Sequence, residues 1–167
     1  MMKRWSIGPI VVALVVLMVM PAASAGKGGS DRPFKASFTG EVHWEFSDQC
    51  GSVTTVTEAS GRATHMGRVA YKGAHCPDEV VIDDGRFTIV AANGDKLYGV
   101  YDYPAIDYGE PVTFIGGTGR FAGASGGGVW EYDIELIFRE HCDPASDPFM
   151  CLTNSPWWST LTGTINY

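Results

Sequence analysis

FIGGTGRFAGASGGG, Phe114 to Gly128, holds seven glycines in fifteen residues. Two folds compete for it. Gly117-Thr118-Gly119-Arg120-Phe121-Ala122 satisfies the dinucleotide fingerprint G-x-G-x-x-G/A, and VTFI precedes it as a strand. That fingerprint needs a helix next, whose N-terminal amides hold a pyrophosphate. Here GASGGG runs straight into another strand pattern, with no room for a βαβ unit. The glycines are therefore expected to allow positive φ and close packing in a compact connection. Gly116, Gly117, Gly119 and Gly123 build this turn. Phe121 is expected to plug one end of the fold, and Arg120 to cap carbonyls or pair with a carboxylate. No nucleotide or other cofactor is called for.

Outward from this stretch, almost every segment has a period of two. Phe34, Ala36, Phe38, Val42, Trp44 and Phe46 alternate with Lys35, Ser37, Thr39, Glu41, His43 and Glu45. This is a strand with one buried and one wet face. Thr and Val dominate 52–58. Ala63, His65, Val69 and Tyr71 alternate with Arg62, Thr64, Arg68 and Lys72, and Gly67 among them suggests a bulge or close backbone contact. GRFTIVA and KLYGVYDY flank Asn93-Gly94, a hairpin signal because a type I′ turn needs positive φ at both positions. Trp130, Tyr132, Ile134, Leu136 and Phe138 alternate with Glu131, Asp133 and Glu135. Trp157, Leu161, Ile165 and Tyr167 share a face of the last strand. The fold class expected is all-β, a single antiparallel barrel of eight strands, closed by pairing the two terminal strands so that no edge remains.

The N-terminus MMKRWSIGPIVVALVVLMVMPAASA reads as a signal peptide, residues 1–25: Lys3 and Arg4, an apolar run from Ile10 to Met20, and Ala23-Ser24-Ala25 as a cleavage site. The run is short of the roughly 20 apolar residues of a membrane span, so no stable membrane anchor is expected. Residues 26–33 read as a flexible tether and 34–167 as the barrel domain. Cleavage after Ala25 takes two of the 12 basic residues and none of the 19 acidic ones. The remaining 142 residues carry a net charge of −9, which a phosphate backbone would repel, so no nucleic-acid partner is expected. The four cysteines, Cys50, Cys76, Cys142 and Cys151, argue for two disulfides in a secreted or periplasmic chain. Three pairings are open. Cys142–Cys151 with Cys50–Cys76 is favoured because the former closes a short loop.

AANGD (Ala91–Asp95), GGTGRFAGASG (Gly116–Gly126) and LTGTINY (Leu161–Tyr167) together resemble motifs of known barrels. The glycine-rich stretch is similar to the signature of plant dirigent proteins and the related allene oxide cyclases. The set, in this order, is closer still to secreted bacterial proteins of unassigned function that share the barrel. The resemblance implies an eight-stranded, calycin-like barrel. Dirigent proteins steer phenolic radical coupling and allene oxide cyclases close an oxylipin ring, both chiefly by holding an apolar substrate inside. The stretch that carries the resemblance is structural, so it transfers no catalytic residue.

With strands alternating up and down, tight links at Ser60-Gly61, Asn93-Gly94 and the glycine-rich stretch fall at one end. The longer connections 47–51, 73–80, 104–110 and 140–156 fall at the other, unless Asp84-Gly85 adds a hairpin and upsets the parity. That second end holds all four cysteines and the candidates His75, His141, Asp48, Asp78, Glu79, Asp107, Glu110, Asp143 and Asp147. Binding residues favour longer loops on a rigid scaffold, so this end is the expected mouth. Its carboxylates read as a solvated acidic rim, since no D-x-D-x-D-G calcium loop is present. Disulfides would consume the thiols of a His/Cys cluster, so no metal is expected. His65, in phase with Ala63, Val69 and Tyr71, is assigned to the inner face, either as a satisfied core residue or as a general base. His65, Tyr71, Trp44 and Tyr101 are the expected ligand contacts. No G-x-S-x-G elbow or nucleophile–base pair is visible. The outer indole of Trp157-Trp158 is free for a surface partner. The reading is an exported barrel that binds a small apolar ligand or a surface partner. Its alternatives are a cyclase- or isomerase-like enzyme and a structural component of an exported assembly.

Overall fold

Eight strands follow one another without an intervening α-helix. They are β1 (Arg32–Ser47), β2 (Ser52–Ala63), β3 (Gly67–His75), β4 (Gly85–Ala91), β5 (Lys96–Tyr101), β6 (Glu110–Gly117), β7 (Ser125–Ile134) and β8 (Ser155–Asn166). This computed structural model describes residues 30–77, 85–101, 109–143 and 149–167. Each strand pairs antiparallel with the next, and β8 pairs back to β1 to close the barrel. The expected eight-stranded antiparallel barrel is what the chain forms. Residues 1–25, read as a signal peptide, and most of the segment read as a tether (26–33) lie outside the described residues, and β1 begins at Arg32.

Period-two alternation decides what faces in. Phe34, Ala36, Phe38 and Val42 of β1 are buried while Lys35, Ser37, Thr39 and Glu41 are exposed. On β8, Trp157, Leu161 and Ile165 are buried while Trp158, Thr160 and Thr162 are exposed. The outer wall is largely polar, with Glu58, Arg62, Lys72 and Arg86 exposed, and also shows Ile115, Val129 and Trp158. A membrane-spanning barrel alternates the other way, apolar outside and polar inside.

The glycine-rich stretch turns a corner. Residues Gly119–Phe121 form one turn of 3₁₀ helix between β6 and β7, with antiparallel sheet on both sides. Gly119 (φ 57°) and Gly126 (φ 117°) occupy the left-handed side of backbone space, where an L side chain is strained. The side chain of Phe121 is fully buried and packs on Tyr167 at 5.0 Å, closing this end as expected. Arg120 Nε lies 3.5 Å from Asp95 Oδ2. The Lys96 amide donates to Thr118 Oγ1 (3.0 Å) and the Thr118 amide to the Lys96 carbonyl (2.8 Å). These contacts lock the turn onto the β4–β5 connection.

Three local expectations are corrected. Ser60-Gly61 is not a turn: both lie within β2, opposite Thr39 and Phe38. Gly61 is there because a Cβ would collide with the Ser37 carbonyl of β1. The turn falls at Thr64-His65-Met66, where His65 (φ 65°) and Gly67 (φ 72°) reverse the chain, so Gly67 opens β3 and makes no bulge. Asn93-Gly94 does sit between β4 and β5, but only Gly94 has positive φ (87°). The connection spans 92–95, with Asn93 Oδ1 accepting from the Asp95 amide, so it is not the type I′ pair. Asp84 lies outside the described residues, while Gly85 begins β4 and the parity of the two ends holds.

A cavity at the open end of the barrel

At the end away from Phe121, the tails of the strands enclose a cavity of about 220 Å³. Its floor is a cluster of rings. Tyr71 stacks on Trp157 (centroids 5.5 Å) and meets Trp130 edge-on (5.0 Å), while Phe87 meets Trp130 at 5.1 Å. Val42, Trp44, Thr55, Thr57 and Ile134 make the wall, and Pro77, Leu136, Phe149 and Leu152 also line the cavity. Inner-face glycines clear space for the rings. A Cβ at Gly85 would overlap Tyr101, and one at Gly73 would overlap Tyr71. Aromatic residues opposite glycines on one inner face are the sequence signal of this cavity.

Two disulfides frame the opening, in the favoured pairing. Cys50–Cys76 ties the β1–β2 connection to the end of β3, next to His75 (Cα–Cα 5.3 Å). Cys142–Cys151 staples the connection between β7 and β8 (Cα–Cα 5.5 Å). Beyond Ile134 the alternating run leaves the barrel wall but keeps pairing. Arg139 donates to the Cys151 carbonyl (2.8 Å), Thr153 to the Ile137 carbonyl (2.9 Å) and Glu135 to the Pro156 carbonyl (3.0 Å). This stapled arm carries Leu136, Ile137, Phe138 and Met150, each about half exposed. Two disulfides fit an oxidising, extracellular or periplasmic environment. Among the described residues no helix is long and apolar enough to cross a membrane.

Three residues with displaced acid–base equilibria, Glu110, His75 and Tyr71, line this cup. Glu110, the first residue of β6, is only 5% exposed. It is in phase with Val112 and Phe114, so it faces inward and is not part of a solvated rim. Burial raises its carboxyl from the ordinary 4.5 to about 7. His75 Nδ1 shares a hydrogen bond with Tyr101 Oη (2.8 Å), and burial lowers its imidazole to about 4. Tyr71 is pushed well above the ordinary phenol value, chiefly by burial and then by Tyr101 and Glu110. At neutral pH the cavity thus holds an uncharged His75 imidazole, an uncharged Tyr71 phenol and one carboxyl poised between its two states.

The structure gathers Trp44, Tyr71 and Tyr101 on this cavity and leaves His65 out. His65 is exposed in the turn at the opposite end, its Nε2 3.0 Å from the Pro33 carbonyl and its ring 5.8 Å from Tyr167. The three-residue turn breaks the alternation that seemed to carry His65 inward; Met66 is the buried residue there. Glu110 and His75, both named among the candidates at this end, do line the cavity; what lying next to loops hid is that they face inward, although the phase of Val112 and Tyr71 points to it. His43, read as exposed, lies 2.9 Å from Glu45. His141 and Asp143 are exposed, and Asp78, Glu79, Asp107 and Asp147 lie outside the described residues. No group of three or more His, Cys, Asp or Glu among the described residues could hold a metal ion.

Fold and cavity together define a closed antiparallel barrel, packed at one end and hollow at the other. Compared with known proteins, the chain matches no family model, no curated protein and no solved structure.

Proposed function

We propose that this is an exported barrel that binds a small apolar ligand in its open end. One observation carries the reading: a ring-lined cavity of about 220 Å³ inside an otherwise filled core. Ligand sites are concave and mostly apolar, with a few placed polar groups, and those for drug-sized ligands span roughly 300–1,000 Å³. This one is smaller, so the ligand is small too. Trp130 lines the cavity and buries its indole N–H with no partner among the described residues. An unpaired buried donor costs about 1–3 kcal/mol, which an oxygen on the ligand would recover. The signal-peptide pattern at residues 1–25 and the two disulfides support export. The motif resemblance to dirigent and allene oxide cyclase barrels, which also hold apolar molecules inside, points the same way.

A cyclase- or isomerase-like activity is the second reading, favoured by the polar set inside the cup. A carboxyl poised near neutrality is suited to proton transfer, and the His75–Tyr101 pair could orient a substrate. Native mass spectrometry of the protein secreted by its own host tests the first reading. A co-purifying small molecule, lost in Trp157→Ala, is expected. A bare protein that also takes up no hydrophobic probe would move the assignment to a structural role.

A further inference from the structure

Seven of the residues lining the cavity carry aromatic rings: Trp44, Tyr71, Tyr101, Trp130, Tyr132, Phe149 and Trp157. Ring faces carry negative quadrupole density, and cages of such faces hold quaternary ammonium groups. Among the described residues no lysine or arginine lines the cavity. Glu110 does, nineteen-twentieths buried, and no hydrogen bond or ion pair to a described residue holds its carboxyl. Among the described residues the titratable groups lining the cavity with it are Tyr71 and His75 from β3, Tyr101 from β5 and Tyr132 from β7, none of which carries positive charge at neutral pH. The sequence joining β3 to β4 (78–84) and β5 to β6 (102–108) has six Asp or Glu and no Lys or Arg.

A wholly apolar ligand leaves that carboxyl buried and unanswered, which is costly whenever it ionises. A cation answers it. We propose that the cavity takes a small organic ammonium ion, its head caged by the rings of Trp44, Tyr71, Tyr101 and Trp157 and balanced by the carboxylate of Glu110. This rests on the ligand-binding reading above and names the ligand's class. The rings accept its methyl or methylene groups, the carboxylate supplies the countercharge, and the free indole N–H of Trp130 can serve an oxygen elsewhere on the ligand.

The test compares choline with its neutral isostere, in which carbon replaces the quaternary nitrogen, by calorimetric titration of the full mature chain at pH 8. Choline is expected to bind at least about tenfold more tightly, a modest demand on a desolvated cation–aromatic site with a countercharge. Its affinity should fall at least about tenfold from pH 8 to pH 5 as Glu110 takes up its proton. Glu110→Gln should bring choline down to the isostere's affinity and abolish the pH dependence. Equal affinity for the two probes in the wild-type chain would overturn the cation assignment while leaving an apolar site standing, and this needs no variant to fold. Binding of neither probe would overturn both readings.

Discussion

The two ends of the barrel are built from the same eight strands and differ in what fills them. At the Phe121 end, Phe34, Ile89, Leu97, Leu161 and Ile165 are fully buried and a short 3₁₀ turn seals the bottom. At the other end the inward residues are larger and partly polar, glycines replace side chains beside them, and disulfides take over from tight turns. Eight strands leave an interior that side chains fill or that holds one small ligand. This chain does each at a different height. Stability is concentrated where packing is complete, and the space for a ligand is opened where covalent staples hold the frame.

That division can be broken most severely at the plug. Phe121→Ala removes a fully buried ring and is expected to cost about 3–5 kcal/mol, lowering the melting temperature by on the order of 10 °C or more. Probe affinity per folded molecule should not change. A matching loss of affinity would mean that the ends are not independent.

The staples come next. Replacing Cys50 and Cys76 by serine is expected to cost about 3.5 kcal/mol, and replacing Cys142 and Cys151 about 2.6 kcal/mol, on the entropy of the loops they close, with separations of 26 and 9 residues. Urea midpoints would rank them. The ligand readout should rank them the same way, because Cys50–Cys76 adjoins His75. If opening the smaller loop does more harm to binding, the stapled arm holds the cavity open.

The gentlest probe is pH. Between 4.5 and about 7 the folded chain keeps Glu110 protonated while the unfolded chain has ionised it. Its contribution to stability therefore falls as pH rises through that window, by on the order of 3 kcal/mol. His75 works in the opposite sense. Its imidazole stays neutral down to about 4 when folded but protonates near 6.5 when unfolded, so stability is lost as pH falls between those values. The two slopes oppose each other between 4.5 and 6.5. Glu110→Gln should gain on the wild type as pH rises from 4.5 to 8. A difference that is constant across pH would contradict a buried Glu110.

Each end was legible in part. Strand alternation, the turn at Gly116–Gly123 and the Phe121 plug all follow from local rules of period and backbone freedom. Trp44, Tyr71 and Tyr101 could be placed by phase alone. His65 could not, because Thr64-His65-Met66 is a turn without the usual glycine or asparagine at its tip, and three residues of turn reset the alternation. Glu110 and His75 were placed at the mouth, but their burial was obscured for another reason. Charged and polar residues beside loops usually face water, and only closure of the barrel over them turns their inward phase into burial. The emptiness of the mouth is a property of packing in three dimensions, and Gly73, Gly85 and Gly99, which make room for Tyr71, Tyr101 and Phe87, are its local trace.

The most direct test is a nuclear magnetic resonance titration of the ¹⁵N-labelled chain, residues 26–167, with cyclohexanol, read at the indole and backbone amides. The account predicts saturable shifts at the Trp130 and Trp157 indole N–H groups and at the amides of Thr55, Tyr101 and Glu110. The amides of 118–124 should stay still. Shifts confined to the outer wall or the Phe121 end, or no saturable shift at either indole, would contradict it.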